Sequence, residues 1–298
     1  MNYIFPLLAA LLWGGNTIVT KLCSTVINPM EIGFYRWLVA TIILTPFVIK
    51  TVSADVVKLR PLIPKLVLLG FLGGVIFQSL AYYAAHYTTA TNMGIIQSLM
   101  PIMAIILAIT FLGYITNWGS ILGVVVSAMG VVVVVSHGDL TLLIEHGINF
   151  GDMLMLLATL AFALYGSFVH KWNLDIPLLH SVYIQSVAAT IILFPLFLIT
   201  PKSHLSLEVS FYIGFAGIAA SILAPMVWMH GIAKIGAARA SLFFNLVPVV
   251  TAILAVFFLS EKITTSVLVG GGIAIIGVVM AETFRSQKNL NNSKVGKT

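Results

Sequence analysis

The chain has 298 residues, 60% of them hydrophobic and only 8% charged. A soluble domain carries roughly a quarter charged residues, so this composition excludes an ordinary water-solvated protein and points to one whose main solvent is lipid. The net charge of +6 does not point to nucleic acid, because no Lys/Arg stripe interleaved with aromatics accompanies it.

A spanning helix needs about 20 mostly apolar residues. Segments of that kind fall near 3–22, 30–50, 65–86, 89–112, 116–136, 151–171, 177–199, 208–232, 238–259 and 264–284, which predicts ten helices. The first has neither a basic leader nor a small-x-small site after it, so it reads as an uncleaved span and not as a signal peptide. With the N-terminus cytoplasmic, eleven of the fifteen Lys and Arg fall on the inner side, which orients both termini to the cytoplasm. The polar, Asn/Lys-rich end of the chain reads as a disordered tail.

Polar side chains inside a bilayer are costly and usually face the bundle interior. The first span offers Trp13, Asn16, Thr17 and Thr20; Trp13, Thr17 and Thr20 share one helical face. They line a cavity, or they join helices through Gly14 and Gly15. Arg36 lies roughly 10 Å into the second span at ~1.5 Å per residue. It reads as an anchor for a substrate carboxylate or a gate charge. Alternatively it pairs with Glu31 or snorkels to the interface.

In the third span Gln78 and Tyr82 share a face. In the fourth, Asn92, Gln97 and Ser98 precede Pro101, and in the ninth Ser241 and Asn245 precede Pro248. A Pro frees a carbonyl one turn earlier, and in lipid that carbonyl needs a partner. The polar residues before each Pro therefore either satisfy the opened turn or present amides to a substrate. Tyr165, Tyr183, Gln185, Trp228 and the histidines His170 and His230 fall in spans six to eight. Trp13, Tyr82, Tyr165 and Trp228 are candidates for an aromatic box favouring flat or cationic solutes, against the ordinary interfacial belt.

No Asp or Glu falls near a span centre, so a proton site would have to be a histidine, with His230 best placed. The single Cys23 excludes an internal disulfide and a cysteine metal cluster. No nucleotide-binding or catalytic motif is present, and no metal, cofactor or enzymatic activity is expected.

The chain is written twice. Between 90–132 and 237–279, without gaps, 12 of 43 positions are identical, including Pro101/Pro248, Gly123/Gly270 and Gly130/Gly277. Ala40-Thr41-Ile42-Ile43-Leu44 before Pro46 recurs as Ala189-Thr190-Ile191-Ile192-Leu193 before Pro195, and Leu12-Trp13-Gly14 echoes in Leu164-Tyr165-Gly166. The repeating unit is five spans. An odd number forces the second copy to insert upside down, as in many secondary transporters.

Trp13–Asn16, the Arg of Phe34-Tyr35-Arg36-Trp37, and the run Gly236-Ala237…Ala240-Ser241…Pro248…Leu259-Ser260-Glu261, together with ten spans, resemble EamA-type members of the drug/metabolite transporter superfamily. The resemblance implies a bundle of two inverted five-helix repeats that moves small metabolites, often amino acids and commonly outward, across a bacterial inner membrane. One departure is visible: the acidic residue that often follows the fourth helix in that family is absent at Leu112-Gly113-Tyr114. Glu261 then reads as a helix-end contact.

The expectation is an all-α integral membrane protein of ten transmembrane helices in two inverted repeats. Residues 1–136 form the first, 137–150 a periplasmic connection, 151–284 the second and 285–298 a cytoplasmic tail. Its partners are a small-molecule solute and membrane lipids, it is a monomer, and it works by alternating access around a midplane cavity. The substrate-binding set is Trp13, Asn16, Thr17, Arg36, Gln78, Tyr82, Gln97, Ser98, Tyr165, Trp228 and Asn245. The rival readings are a structural or assembly subunit of a membrane complex and an intramembrane enzyme.

Overall fold

The structure, a computed structural model, describes residues 3–112, 118–139, 148–172, 174–235 and 243–295. Among them all regular structure is helical: α1 (Ile4–Cys23), α2 (Pro29–Ala54), α3 (Val56–Ala84), α4 (Ala90–Gln97), α5 (Met100–Leu112), α6 (Trp118–Val135), α7 (Phe150–Trp172), α8 (Leu178–Ile199), α9 (Leu207–Ile235), α10 (Val247–Leu259) and α11 (Thr265–Val295). Six of these, α1, α2, α3, α7, α8 and α9, are long and apolar enough to cross a membrane; shorter apolar helices cover Ile121–Val134, Val247–Leu259 and Thr265–Ala281. Large apolar side chains such as Phe47, Leu207 and Phe257 stand exposed, as a lipid-solvated surface requires.

Local signals set the helix ends. Asn28 accepts from the Met30 N–H with Pro29 next to it; Thr89 and Ser206 start α4 and α9 in the same way. Ser260, in the left-handed region at φ 54°, ends α10. The last helix runs on to Val295, into the segment whose composition predicts disorder; no Pro or Gly falls between Gly277 and Gly296.

The predicted fourth span is broken in two. Helix α4 ends at Gln97, Ser98 and Leu99 turn, and α5 starts at Met100. Pro101 explains this, since its ring would collide with the carbonyl of Gln97 four residues back. The second copy breaks at the matching place: Asn245 and Leu246 turn and α10 begins with Val247-Pro248. Pro46 and Pro195, by contrast, are carried inside α2 and α8. Helices α3 and α9 each contain a π-helical stretch, Gly70–Ile76 and Phe215–Leu223, and such stretches loosen backbone carbonyls.

Packing contacts come in matched pairs: α1 on α9 with α7 on α3, and α1 on α10 with α7 on α4 and α5, while α2 meets α8, α4 meets α10, and α6 meets α11. The α6–α11 seam is glycine-built. A Cβ on Gly130 would lie 2.3 Å from the Ala274 nitrogen, and one on Gly277 would lie 2.2 Å from that of Ser127. Only Gly permits backbones so close.

Candidate substrate site

Arg36 is the centre of one cluster of buried polar groups. The π-helical stretch of α9 passes close to it: a Cβ on Gly217 would sit 2.9 Å from the Arg36 carbonyl oxygen. The side chain is only 3% exposed. Its Nε donates to Ser221 Oγ at 2.7 Å, and one Nη donates to Gln78 Oε1 at 3.0 Å, Asn16 Oδ1 at 3.2 Å and the Tyr82 hydroxyl at 3.4 Å. The guanidinium carbon lies 5.5 Å from the Trp37 ring centre. Four helices therefore supply its partners: α1 (Asn16), α2 (Trp37), α3 (Gln78, Tyr82) and α9 (Ser221).

All four acceptors are neutral. No carboxylate pairs with Arg36 among the described residues. Glu31, the partner its spacing left open, is turned away: one oxygen accepts from the Ser203 N–H at 2.8 Å and the other is buried without a partner. Nor does Arg36 snorkel, because its head is buried. A buried charge without a counter-ion costs several kcal/mol, and the hydrogen bonds offset about 1.5–3 kcal/mol each. Arg36 is thus held by neutral groups, with no counter-charge among the described residues.

The two π-helical stretches also supply this neighbourhood. The loosened Ala216 carbonyl takes the Ser221 hydroxyl at 2.8 Å, and the Gly74 carbonyl takes the Trp37 Nε1–H at 2.8 Å. Ser221 thus bonds its own helix while accepting from Arg36.

The predicted aromatic box divides. Trp13 and Trp228 meet at 5.5 Å between ring centres and are joined by Phe244 at 5.6 and 5.8 Å. Tyr82 belongs to the Arg36 group, and Tyr165 packs on Phe162 and faces Gly73. Trp13 and Asn16 are one turn apart on α1, so the aromatic trio borders the Arg36 group at about 5 Å along the axis.

The other predicted residues have separate surroundings. Thr17 and Thr20 are buried and return their hydroxyls to the Trp13 and Asn16 carbonyls of their own helix. Ser98 bonds the Ile95 carbonyl at 2.6 Å, so it satisfies the opened turn. Gln97 is half-buried beside it. Asn245, in the matching turn, is buried with its amide nitrogen unpartnered among the described residues. Asn92 faces Asp152 at 3.4 Å. His230 is exposed, its ring 4.4 Å from Phe5. Ser241 and the segment 236–240 lie outside the described residues. Glu261 is a helix-end contact, accepting from the first N–H groups of α4.

Sequence reasoning missed Ser221 and Phe244. Ser221 had a usable signal, being a lone polar residue mid-span. Phe244 had a subtler one: it occupies the repeat position of Gln97.

The EamA-like transporter family model matches residues 1–136 and again 149–283. The chain is 28% identical over 283 residues to the "Uncharacterized transporter YyaM" of Bacillus subtilis (strain 168), covering 94% of this chain and 92% of that protein. It is 26% identical to an "Uncharacterized transporter" of Archaeoglobus fulgidus, covering 96% and 99%. It is 22% identical to the "S-adenosylmethionine uptake transporter" of Rickettsia conorii, covering 93% and 90%. A solved crystal structure superposes with a TM-score of 0.64 at 14% identity over 96% of this chain and 98% of that one, which shows a shared fold. Two family matches in one multi-pass helical chain, and relatives named as transporters along nearly its whole length, lead to one conclusion: the chain belongs to the EamA-like transporter family.

Proposed function

We propose that the protein is a secondary transporter for a small organic solute bearing a carboxylate, such as an amino acid or a related metabolite. The carrying observation is Arg36: a buried cation whose four hydrogen-bond acceptors are all neutral. A substrate carboxylate supplies the missing charge in a charge-assisted hydrogen bond to the second Nη, for which no protein acceptor is found among the described residues. The Trp13–Trp228–Phe244 trio, one turn away, offers a flat apolar wall for the rest of the solute. Asn16, Gln78, Tyr82 and Ser221 orient the guanidinium. Gln97, Ser98 and Asn245 flank the helix breaks, and Thr17, Tyr165 and His230 complete the candidate set.

Alternating access follows from the repeats. Matched helix breaks, matched π-helical stretches and matched packing pairs support two inverted five-helix halves, 1–136 and 151–284. Such halves can exchange conformations and open one central site to either side. The Lys and Arg distribution supports cytoplasmic termini. Outward movement across a bacterial inner membrane by a monomer is the reading the family resemblance carries. One relative is named for uptake of an amino-acid derivative, so the test must read both directions.

That test is counterflow in proteoliposomes with labelled amino acids, amines and small anions. Carboxylate-bearing solutes are expected to exchange in the parent and not in Arg36→Gln. Absence of flux for the whole panel, or undiminished flux in Arg36→Gln, overturns the proposal.

A further inference from the structure

Three charged side chains from distant parts of the chain converge on residues 85–91, the connection after α3 together with the first residues of α4. Lys21, in the last turn of α1, donates from Nζ to the carbonyls of Ala85 at 2.5 Å and Thr88 at 2.7 Å. Asp152, in the first turn of α7 and 1% exposed, accepts from the Thr88 hydroxyl at 2.5 Å. Glu261, just past the end of α10, accepts from the Ala90 N–H at 2.8 Å, the Thr91 N–H at 3.1 Å and the Thr91 hydroxyl at 2.6 Å. Lys21 and Glu261 attract one another across the connection.

These bonds fill what helix ends leave open. The Ala85 and Thr88 carbonyls lie just past the end of α3, the first N–H groups of α4 have no partner within their own helix, and a carboxylate is favoured at a helix N-terminus. The unusual feature is the source: α1 and α10 reach across to supply them.

Beneath the clamp lies an apolar seam of Ile18 (α1), Ala90 (α4) and Ala255 (α10), all nearly inaccessible. Leu22 and Leu259 pack on that seam and also line a cleft of about 440 Å³ shared with Lys21, His86, Thr89 and Glu261. Leu22 and Leu259 thus join the cleft to the seam, and Lys21 and Glu261 line the cleft beside them. The clamp's bonds are charge-assisted and strong when shielded, yet each can be exchanged for a bond to water if the cleft deepens. That is the chemistry of a reversible closure. It is also one-sided: the repeat position of Glu261 is Tyr114, so the other copy has no carboxylate there.

We infer that Lys21 and Glu261 form the latch of a gate at the end of the bundle where α1, α4 and α10 meet, closing by gripping residues 85–91 and opening by parting the Ile18 seam. By the Lys/Arg distribution this is the outer gate. The inference rests on the alternating-access reading above, but its test needs no substrate, so the two can fail separately.

The test is the rate of maleimide labelling of purified protein in detergent. In a Cys23→Ala background, Ile18→Cys reports on the seam, and Val48→Cys, in a different buried cluster, is the control. Adding Glu261→Gln removes the charge and one acceptor oxygen. Labelling at position 18 is expected to rise about tenfold, with position 48 unchanged. Thr91→Val, which removes one of the three bonds, is expected to give a smaller rise and carries the test if Glu261→Gln does not fold. An unchanged rate at position 18 in the folded variant, or equal rises at 18 and 48, overturns the latch. Absence of counterflow in the parent protein with the labelling result intact would sink the transport reading and leave the closure at this end of the bundle standing.

Discussion

The hydroxyls of Thr41 and Thr190 lie 3.4 Å apart, in residues 149 positions apart in the chain. That separation is the spacing of the repeat itself, so two equivalent side chains meet face to face. A residue touching its own counterpart is what a two-fold axis produces. The α6–α11 seam behaves alike: Gly123 approaches Gly277 and Gly130 approaches Gly270, and exchanging the copies turns one contact into the other. The first prediction tests the two-fold relation proposed for the two halves. Thr41→Cys with Thr190→Cys, in a Cys23→Ala background, is expected to form an intramolecular disulfide on mild oxidation. A mobility shift reversed by reductant reads it. Failure to cross-link in folded protein would show that α2 and α8 do not meet in this register.

The glycine seam makes a stability prediction. Gly277→Ala places a methyl against the backbone of Ser127, where nothing flexible can yield. Overpacking of this kind costs about 1–3 kcal/mol, so the variant is expected to melt several degrees lower in detergent. Gly272→Ala, with nothing within 4 Å of the added carbon, is the neutral comparison.

Ser221 positions Arg36 and is not itself proposed to touch the solute. Ser221→Ala leaves Nε without its 2.7 Å acceptor, and a hydrogen bond to a charged group is worth about 1.5–3 kcal/mol. The apparent KM for a carboxylate solute is expected to rise tenfold or more with expression unchanged. Ser221→Thr, keeping the hydroxyl, is expected to recover most of it. Equal loss in both would assign Ser221 to packing.

Arg36→Lys separates charge from geometry. Lysine keeps the cation but lacks the planar fork and cannot serve four acceptors from the same position. Exchange of carboxylate solutes is expected to fall well below the parent while the melting temperature stays closer to the parent than in Arg36→Gln. Parental transport by Arg36→Lys would reduce the site to a bare positive charge.

His86 carries a pH prediction. It lies between α3 and α4, and partial burial first, then the Lys21 ammonium, hold its imidazole below the usual histidine range. The neutral form is thus favoured in the folded protein. The associated stabilisation is fully present above the unfolded value, about 6.5, and is lost as pH falls through the lowered folded value. Melting temperature is expected to decline more steeply from pH 7 to pH 5 in the parent than in His86→Gln. The difference is small, since the group is largely solvent-accessible. Identical slopes would remove His86 from the balance.

Much of the architecture was legible because a bilayer imposes strong rules. Apolar runs of about 20 residues have few alternatives, and Pro and Gly recurring at one spacing expose a duplication that Val and Leu alone would blur. Even the break before Pro248 follows from Pro101, because a missing N–H and a ring collision act identically in both copies. That Arg36 needs partners inside the bundle was also readable, since a charge in the second apolar run has to be met by something.

What meets it was not. Spacing left Glu31 as a partner, yet Glu31 turns to the Ser203 amide, and Arg36 is met by residues from 16 to 221. Which faces of α1, α3 and α9 look at one another is set by packing around the π-helical stretches, and no local sequence rule encodes it. The same holds for the aromatic box, which lost Tyr82 to Arg36 and Tyr165 to Phe162 and gained Phe244, and for Glu261, which follows α10 in the chain and accepts from the first N–H groups of α4 in space. By itself the sequence determined a lipid-solvated helical chain written twice, because hydrophobic length and repeated Pro and Gly are local properties. Only the tertiary structure decided which polar groups converge, because convergence depends on how distant helices rotate and close on each other.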